Sequence, residues 1–423
     1  MSTTSVRTRG LPPTGIPTLR RFARTTPGLV IAVTLLLVAS CAVAAAVCAA
    51  GIHHRIALQD KILGHSEPFA FAAQNLYAAL SEADATAASA FLSGGIQTPA
   101  MRERYNQSLA AAASAMGDVT AGATDIGVRT EVAEIAVQLT TYTGLIEAAR
   151  VNNMSTYPVG SAYLREASSL MQTELLPGAK QILDRGLAAL NVEQASVGAL
   201  PVIGLLLLVL VLAEIAVASW FLLRRTNRQF NIGLVVAAGF VVLAIIALVA
   251  GTRVAADEID RGRAVGTERF EHLATGRILA QQARTDEILE LIARSDITAL
   301  EKSYAGHMSG LLTELETGPQ SAVDAVHKWT ASHDKQVRAY RGGDFATAMA
   351  QAIGTDPDAS PAQFTVVETA LRAEIEETRT AMRATVSSAG AALAWTPAAI
   401  VVTAALAAAA VIGGMWPRLK EFL

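Results

Sequence analysis

The sequence predicts an all-α membrane protein with four transmembrane helices and two extracytoplasmic antiparallel helical bundles in tandem. Three observations predict this fold. Four apolar stretches are each long enough to cross a hydrocarbon core, which takes about 20 residues of helix. Arginine is concentrated in three short segments that adjoin these stretches. The two long segments between them are rich in residues that favour helix, and the chain is 52% hydrophobic but only 5% aromatic, unlike a soluble enzyme.

The four predicted transmembrane helices cover residues 28–51, 202–223, 232–251 and 391–415. The first of them has an alternative interpretation, because residues 38–41 resemble a lipoprotein cleavage box. The apolar run continues through Ala50, which favours a membrane span over a removable signal. The two cysteines, Cys41 and Cys48, both fall in this span, so we expect no disulfide in the external segments.

The positive charges set the predicted orientation. Lysine and arginine near the ends of a span favour the cytoplasmic side, and they dominate residues 1–27, 224–231 and 416–423. These segments are therefore predicted to be cytoplasmic, including both termini, in a multi-pass protein of the plasma membrane. The remaining segments, 52–201 and 252–390, hold more acidic than basic residues, which argues against nucleic acid as a partner.

Each external segment is predicted to form a bundle of about four helices. The helical pattern breaks at 94–99, 122–127 and 152–160 in the first segment and at 295–296, 318–319, 342–343 and 354–361 in the second. Because both ends of each segment enter the membrane, its first and last helices must lie side by side, so the bundle is antiparallel. Alanine-rich helices bury little area each, so a partner subunit, as in a homodimer, would add stability.

The two halves of the chain follow the same plan, which suggests an internal repeat. A faint sequence match pairs Asp84 with Asp286 and Tyr105 with Tyr304. The repeat is clearer in the order of spans and external segments than in the residues themselves.

Motifs for catalysis or metal binding are missing from the sequence. It holds no phosphate loop, no paired cysteine or histidine spacing and no nucleophile elbow. His53 and His54 are adjacent, and His327 and His333 are six positions apart, so neither pair shares a helical face. We therefore expect a protein that is not an enzyme and that carries no metal or cofactor.

Glu214 is the one acidic or basic residue inside a predicted span, and it falls near mid-membrane. An isolated carboxylate there is costly, so we expect Glu214 to be protonated or hydrogen-bonded to a neighbouring helix, with Ser40 and Thr403 as candidate partners. Two interpretations stay open. Glu214 either joins helices or acts as an intramembrane switch whose bonding changes on signalling.

Two sets of charged residues are candidate contact sites. The candidate contacts with a cytoplasmic partner are Arg224, Arg225 and Arg228, although membrane topology alone also explains these arginines. The candidate contacts with an extracytoplasmic ligand or partner are Arg150, Arg165, Arg284 and Asp286. Such side chains suit a carboxylate or amino ligand, and the alternative is that each belongs to an ordinary solvated helix face.

Two stretches carry a resemblance to a known family. They are LRRFARTTPGLVIAV at residues 19–33 and YTGLIEAARVNNMSTYPVGSAYLREASSLMQTELLPGA at residues 142–179. Together with the doubled plan and the small cytoplasmic parts, they make the chain resemble the actinobacterial GlnX family of membrane sensors. The likeness extends over essentially the whole chain.

The resemblance implies a relay with two partners. Its external domains would contact an amino-acid-binding lipoprotein, GlnH, and pass its state to a cytoplasmic serine/threonine kinase, PknG, which governs glutamate metabolism. Two other functions stay open. One is a direct receptor that binds a small ligand in its own bundles, as chemoreceptors do, and the other is a transport-associated or structural membrane protein. Transport is the weaker alternative because only four spans exist and none is broken midway.

Overall fold

The computed structural model describes residues 26–93, 99–155, 159–226, 231–293, 296–316 and 318–420. In these ranges the chain is helical and has no strand. The helices before the central loop are α1 (Thr26–Lys61), α2 (Glu67–Leu92), α3 (Pro99–Gly122), α4 (Ile126–Met154), α5 (Val159–Leu170), α6 (Leu176–Gly198) and α7 (Val202–Thr226). Those after it are α8 (Ile232–Gly262), α9 (Glu268–Ala293), α10 (Thr298–Glu314), α11 (Gln320–Arg341), α12 (Phe345–Ile353), α13 (Ser360–Ala394) and α14 (Thr396–Lys420). The all-α class predicted from the sequence is confirmed.

The chain divides into two compact units. The membrane unit comprises the described parts of 1–56, 199–256 and 390–423. The helical domain comprises 57–198, called the first half below, and 257–389, called the second half.

Four helices, α1, α7, α8 and α14, are long and apolar enough to cross a membrane. Large apolar side chains on them point outward, as Leu35, Ile203 and Ile232 do. A helix satisfies its own backbone hydrogen bonds, so such surfaces are stable against lipid. The protein is therefore a membrane protein.

Helices α8 and α14 of the membrane unit approach closely at a pair of glycines. A Cβ atom built on Gly233 would lie only 2.4 Å from the Cα of Gly414, so only glycine fits at this contact. Asn231 next to it donates from Nδ2 to the carbonyl oxygen of Gly414 at 3.0 Å. Small residues of this kind let two membrane helices pack backbone against backbone.

The helices of the second half follow the predicted breaks and exceed the expected bundle of about four by one. The second half forms five helices within its described residues, because the short α12 lies between the breaks at 342–343 and 354–361. Asp344 caps it by accepting a hydrogen bond from the Thr347 amide at 3.1 Å. The start of α6 continues from α5 through a π-helical turn at Met171–Leu175, so these two helices act as one long element.

The two halves of the helical domain share one hydrophobic core. A single cluster of buried side chains runs from Ala70 in the first half to Ile375 in the second. Helix α2 contributes heavily to this core, and no residue of α2 is exposed.

The first helices of the two halves enter the domain in the same way. A π-helical turn at Ile62–Ser66 precedes α2, and another at Arg263–Thr267 precedes α9. Helical conformation therefore runs without a break from 28 to 92 and from 232 to 293. Each first helix is covalently continuous with an apolar span.

Gly414→Ala is expected to destabilise the membrane unit by roughly 1–3 kcal/mol, as in overpacked cores, because its new Cβ would lie 2.7 Å from the Cα of Gly233. Gly413→Ala is the matched control, since nothing lies within 4 Å of a Cβ there. Thermal unfolding of the full chain in detergent, followed by circular dichroism, measures both. Equal melting temperatures for the two variants would show that the glycine contact does not matter.

Candidate functional site

The interface between the two halves is formed chiefly by α2 and α9. Arg277 donates from Nη1 to Oε1 of Gln74 at 3.2 Å, and Gln282 donates from Nε2 to the Tyr77 hydroxyl at 3.1 Å. These polar contacts lie within the shared apolar core. Buried polar groups need such partners, so they fix how the two helices align.

Glu67, at the start of α2, joins the first half to α13 of the second. Its carboxylate is buried and accepts hydrogen bonds from Arg379 and Arg383, the latter at 2.5 Å. The Arg379 guanidinium also lies over the ring of Phe71, 3.8 Å from its centroid. Two guanidinium groups thus neutralise one buried carboxylate across the interface, which avoids a large desolvation cost.

Two grooves flank this interface. The first, groove A, has a volume of about 320 Å³ and is lined by α2, α3, α9 and α13. The second, groove B, has a volume of about 650 Å³ and is lined by the same four helices. Glu82 and Arg372 line both. These volumes are in the range of sites for small molecules.

A charged network links residues that line groove A with residues that line groove B. Glu368 accepts hydrogen bonds from Arg277 at 2.7 Å and from Gln281 at 3.3 Å, and forms an ion pair with Arg372 at 3.1 Å. Two atoms next to this network stay without a partner in the described part of the chain. They are Oε1 of Gln281, a residue that lines groove A, and Nε2 of Gln74, a residue that lines groove B.

The first half contains a buried carboxylate at its centre. Asp84 accepts hydrogen bonds from the hydroxyl groups of Ser168, at 2.9 Å, and Tyr142, at 3.2 Å. Burial raises the pKa of Asp84 to about 6, although these hydrogen bonds oppose the shift. The acid can therefore change its protonation state near neutral pH.

The second half has a different buried cluster. Glu287 accepts hydrogen bonds from Arg284 at 2.5 Å and from the indole Nε1 of Trp329 at 3.1 Å. One turn on, Glu290 lies 3.0 Å from Nε2 of His333. Asp286, which the faint sequence match pairs with Asp84, is the neighbour of Glu287 and lies near His307 instead.

The charged residues proposed as external contacts do not come together. Arg150 pairs with Glu147 at 2.6 Å on α4, and Arg165 lies exposed on α5. Asp286 lies 2.9 Å from Nδ1 of His307. Arg284 is buried and donates to the backbone of α12, so it does not belong to a solvated face, although it also lines groove A.

Glu214 faces an apolar groove between α1 and α7 within the membrane unit. Its Oε2 is buried and has no partner among the described residues. The predicted hydrogen bonds to Ser40 and Thr403 are not formed there, because the Thr403 hydroxyl donates to carbonyl groups of its own helix, at Ala399 and Ile400.

The arginines proposed for a cytoplasmic contact are only partly described. Arg224 is exposed, and its guanidinium lies 4.1 Å from the ring centroid of Trp220. Arg228 and the side chain of Arg225 lie outside the described residues.

Sequence reasoning missed the residues that line the grooves. Glu82, Arg104, Gln74 and Gln281 come from helices that meet only in the tertiary structure. One signal was present, since Gln74 and Glu82 are among the polar residues of an alanine-rich helix that is otherwise mostly apolar. Polar residues in such a helix indicate buried partners or a site.

Comparison with known proteins gives one match. Residues 58–195 match the family model described as an actinobacterial sensor domain. The matched segment corresponds closely to the first half of the helical domain. No curated protein and no solved structure matches the chain. The match supports a sensing role for this domain.

Asp84→Asn is expected to reduce the pH dependence of stability. Because the folded state holds the Asp84 proton more tightly than the unfolded state does, the free energy of unfolding falls as pH rises from about 4 to above about 6, by about 3 kcal/mol for a shift of this size. Melting temperatures of the full chain between pH 5 and 8 measure this loss. The control is the exposed Asp118→Asn, and identical pH profiles for wild type and Asp84→Asn would contradict the prediction.

Proposed function

We propose that the protein is a non-enzymatic transmembrane signalling protein whose helical domain lies outside the cell and senses an extracytoplasmic cue. The observation that carries this proposal is the position of the sensor-domain match. The matched segment, 58–195, begins in a helix that continues from one apolar span, and it ends just before another span begins at Val202. A change in such a domain has a direct covalent path to the membrane helices.

The orientation proposed here follows from charge. The short segments rich in arginine would be cytoplasmic, and the helical domain would be on the other side of the plasma membrane. A signal would then be read from the loop at 224–231, from the terminal segments, or from the helix ends themselves. A small shift of one span against another is sufficient for such a readout if the two states bind the cue differently.

Within this role we propose a relay between two proteins, as the resemblance to the GlnX family implies. An amino-acid-binding lipoprotein would dock on the helical domain, and a cytoplasmic serine/threonine kinase that controls glutamate and nitrogen metabolism would be the recipient. The shared core of the two halves supports this idea. A partner that touches either half would act on both first helices, since α2 and α9 pack against each other.

Replacement of Arg224, Arg225 and Arg228 by glutamine is expected to reduce the kinase captured with the full chain from native membranes by about tenfold or more, since it removes three positive charges that would attract acidic groups of the partner. Replacement of the same three residues by lysine keeps the charge and the membrane orientation, and should keep most of the capture. Mass spectrometry of the captured proteins gives the readout, with reporter fusions to verify orientation.

Two results would contradict the proposal. One is undiminished kinase capture by the glutamine variant when its orientation is unchanged, which removes the loop as the contact. The other is a transporter ATPase among the partners with no kinase, which favours the transport-associated alternative.

A further inference from the structure

We propose that groove A is a binding site for a small zwitterion of amino-acid size, held between the two halves of the helical domain. The proposal rests on the sensing role proposed above and adds a direct ligand to it. The site is built from α2 and α3 of the first half and α9 and α13 of the second. A ligand in the groove would therefore touch both halves at once.

The charges that line groove A include one of each sign without an internal partner. Glu82 on α2 is half-buried, and Arg104 on α3 is exposed. Neither side chain has an ion pair or a side-chain hydrogen bond with any described residue. By contrast, Arg277, Glu368 and Arg284 nearby are all paired. A carboxylate and a guanidinium that share a groove and stay unpaired suit a ligand with one ammonium and one carboxylate group.

A second, independent feature points to a polar ligand. Gln281 lines groove A and is only 1% exposed, and its buried Oε1 has no hydrogen-bond donor among the described residues. Its Nε2 is held by Glu368 at 3.3 Å, which fixes the orientation of the amide. A buried acceptor without a partner is costly unless a donor reaches it. An ammonium group placed near Glu82 can supply that donor.

The dimensions of the groove agree with this class of ligand. A volume of about 320 Å³ accommodates a small molecule together with a few waters and is at the lower end of the usual range for ligand sites. Phe364 supplies an apolar surface on α13, and its ring lies 5.4 Å from that of the buried Trp329. The groove therefore offers one aromatic contact beside its charges.

Ligand binding in groove A would favour one arrangement of the halves. Helix α2 carries Glu82 and is continuous through the Ile62–Ser66 turn with α1, and α9 carries Gln281 and is continuous through the Arg263–Thr267 turn with α8. A ligand that contacts both helices adds binding free energy only to the state in which they are correctly spaced. Ligand binding in groove A would therefore affect the spacing of the two helices that lead to the membrane.

Isothermal titration calorimetry of the full chain in lipid nanodiscs tests the site, with each of the common L-amino acids as the probe. At least one is expected to bind with a Kd below about 1 mM, an affinity in reach of a few charged contacts. Its decarboxylated amine and its deaminated acid should bind at least about tenfold more weakly, because each lacks one charge. Glu82→Gln and Arg104→Gln should each weaken binding by a similar factor while the melting temperature stays unchanged, since neither breaks an internal contact.

Arg102→Gln is the matched control, because Arg102 is exposed on the same helix but lines a different cleft of the first half, with Tyr105 and Arg150. The site is overturned if binding is insensitive to both Glu82→Gln and Arg104→Gln, or if Arg102→Gln is the variant that weakens it. It is also overturned if no amino acid binds the wild-type chain. Capture of a lipoprotein and a kinase by that same non-binding chain would remove groove A and leave the proposed relay intact.

Discussion

Helix α2 has neighbours on every side, and the arrangement of the helical domain depends on that fact. Its own half supplies α3, α4 and α6, and the second half supplies α9. Alanine makes this possible, because a helix of small residues can be approached closely from all directions. Each alanine buries little area, so the stability of the domain depends on covering all faces of α2 at once.

The polar residues of α2 then decide which helices cover it. Glu67 is paired by arginines of α13, Gln74 by Arg277 of α9, and Asp84 by hydroxyl groups of α4 and α5. A packing arrangement that left one of these side chains without its partner would place an unpaired polar group in the core and cost about 1–3 kcal/mol or more. The polar contacts therefore give specificity to a core whose alanines alone would allow many packings.

The two halves share a plan but differ in the chemistry of their centres. Both begin with a span, a π-helical turn and a nearly buried helix. At the centre of the first half a single carboxylate accepts hydrogen bonds from neutral groups, whereas the second half combines two glutamates with an arginine, a histidine and a tryptophan. The two halves therefore have the same order of elements but different buried polar groups.

The sequence by itself determined the features that depend on local physics. Hydrocarbon-length apolar runs placed the four candidate spans, and glycine and proline placed the breaks at which α10, α11 and α12 end. The length and residue types of a segment are sufficient to predict both features, because neither depends on which other helices the segment contacts. The tertiary structure decided that the two long segments between the spans share one core, that Arg284 is buried, and that Glu82 and Arg104 line one groove with Gln281. The sequence does not show these contacts because the residues are far apart in it, as Gln74 and Arg277 are, which bond across 203 positions. Helical periodicity shows which face of a helix is buried but not which helix buries it.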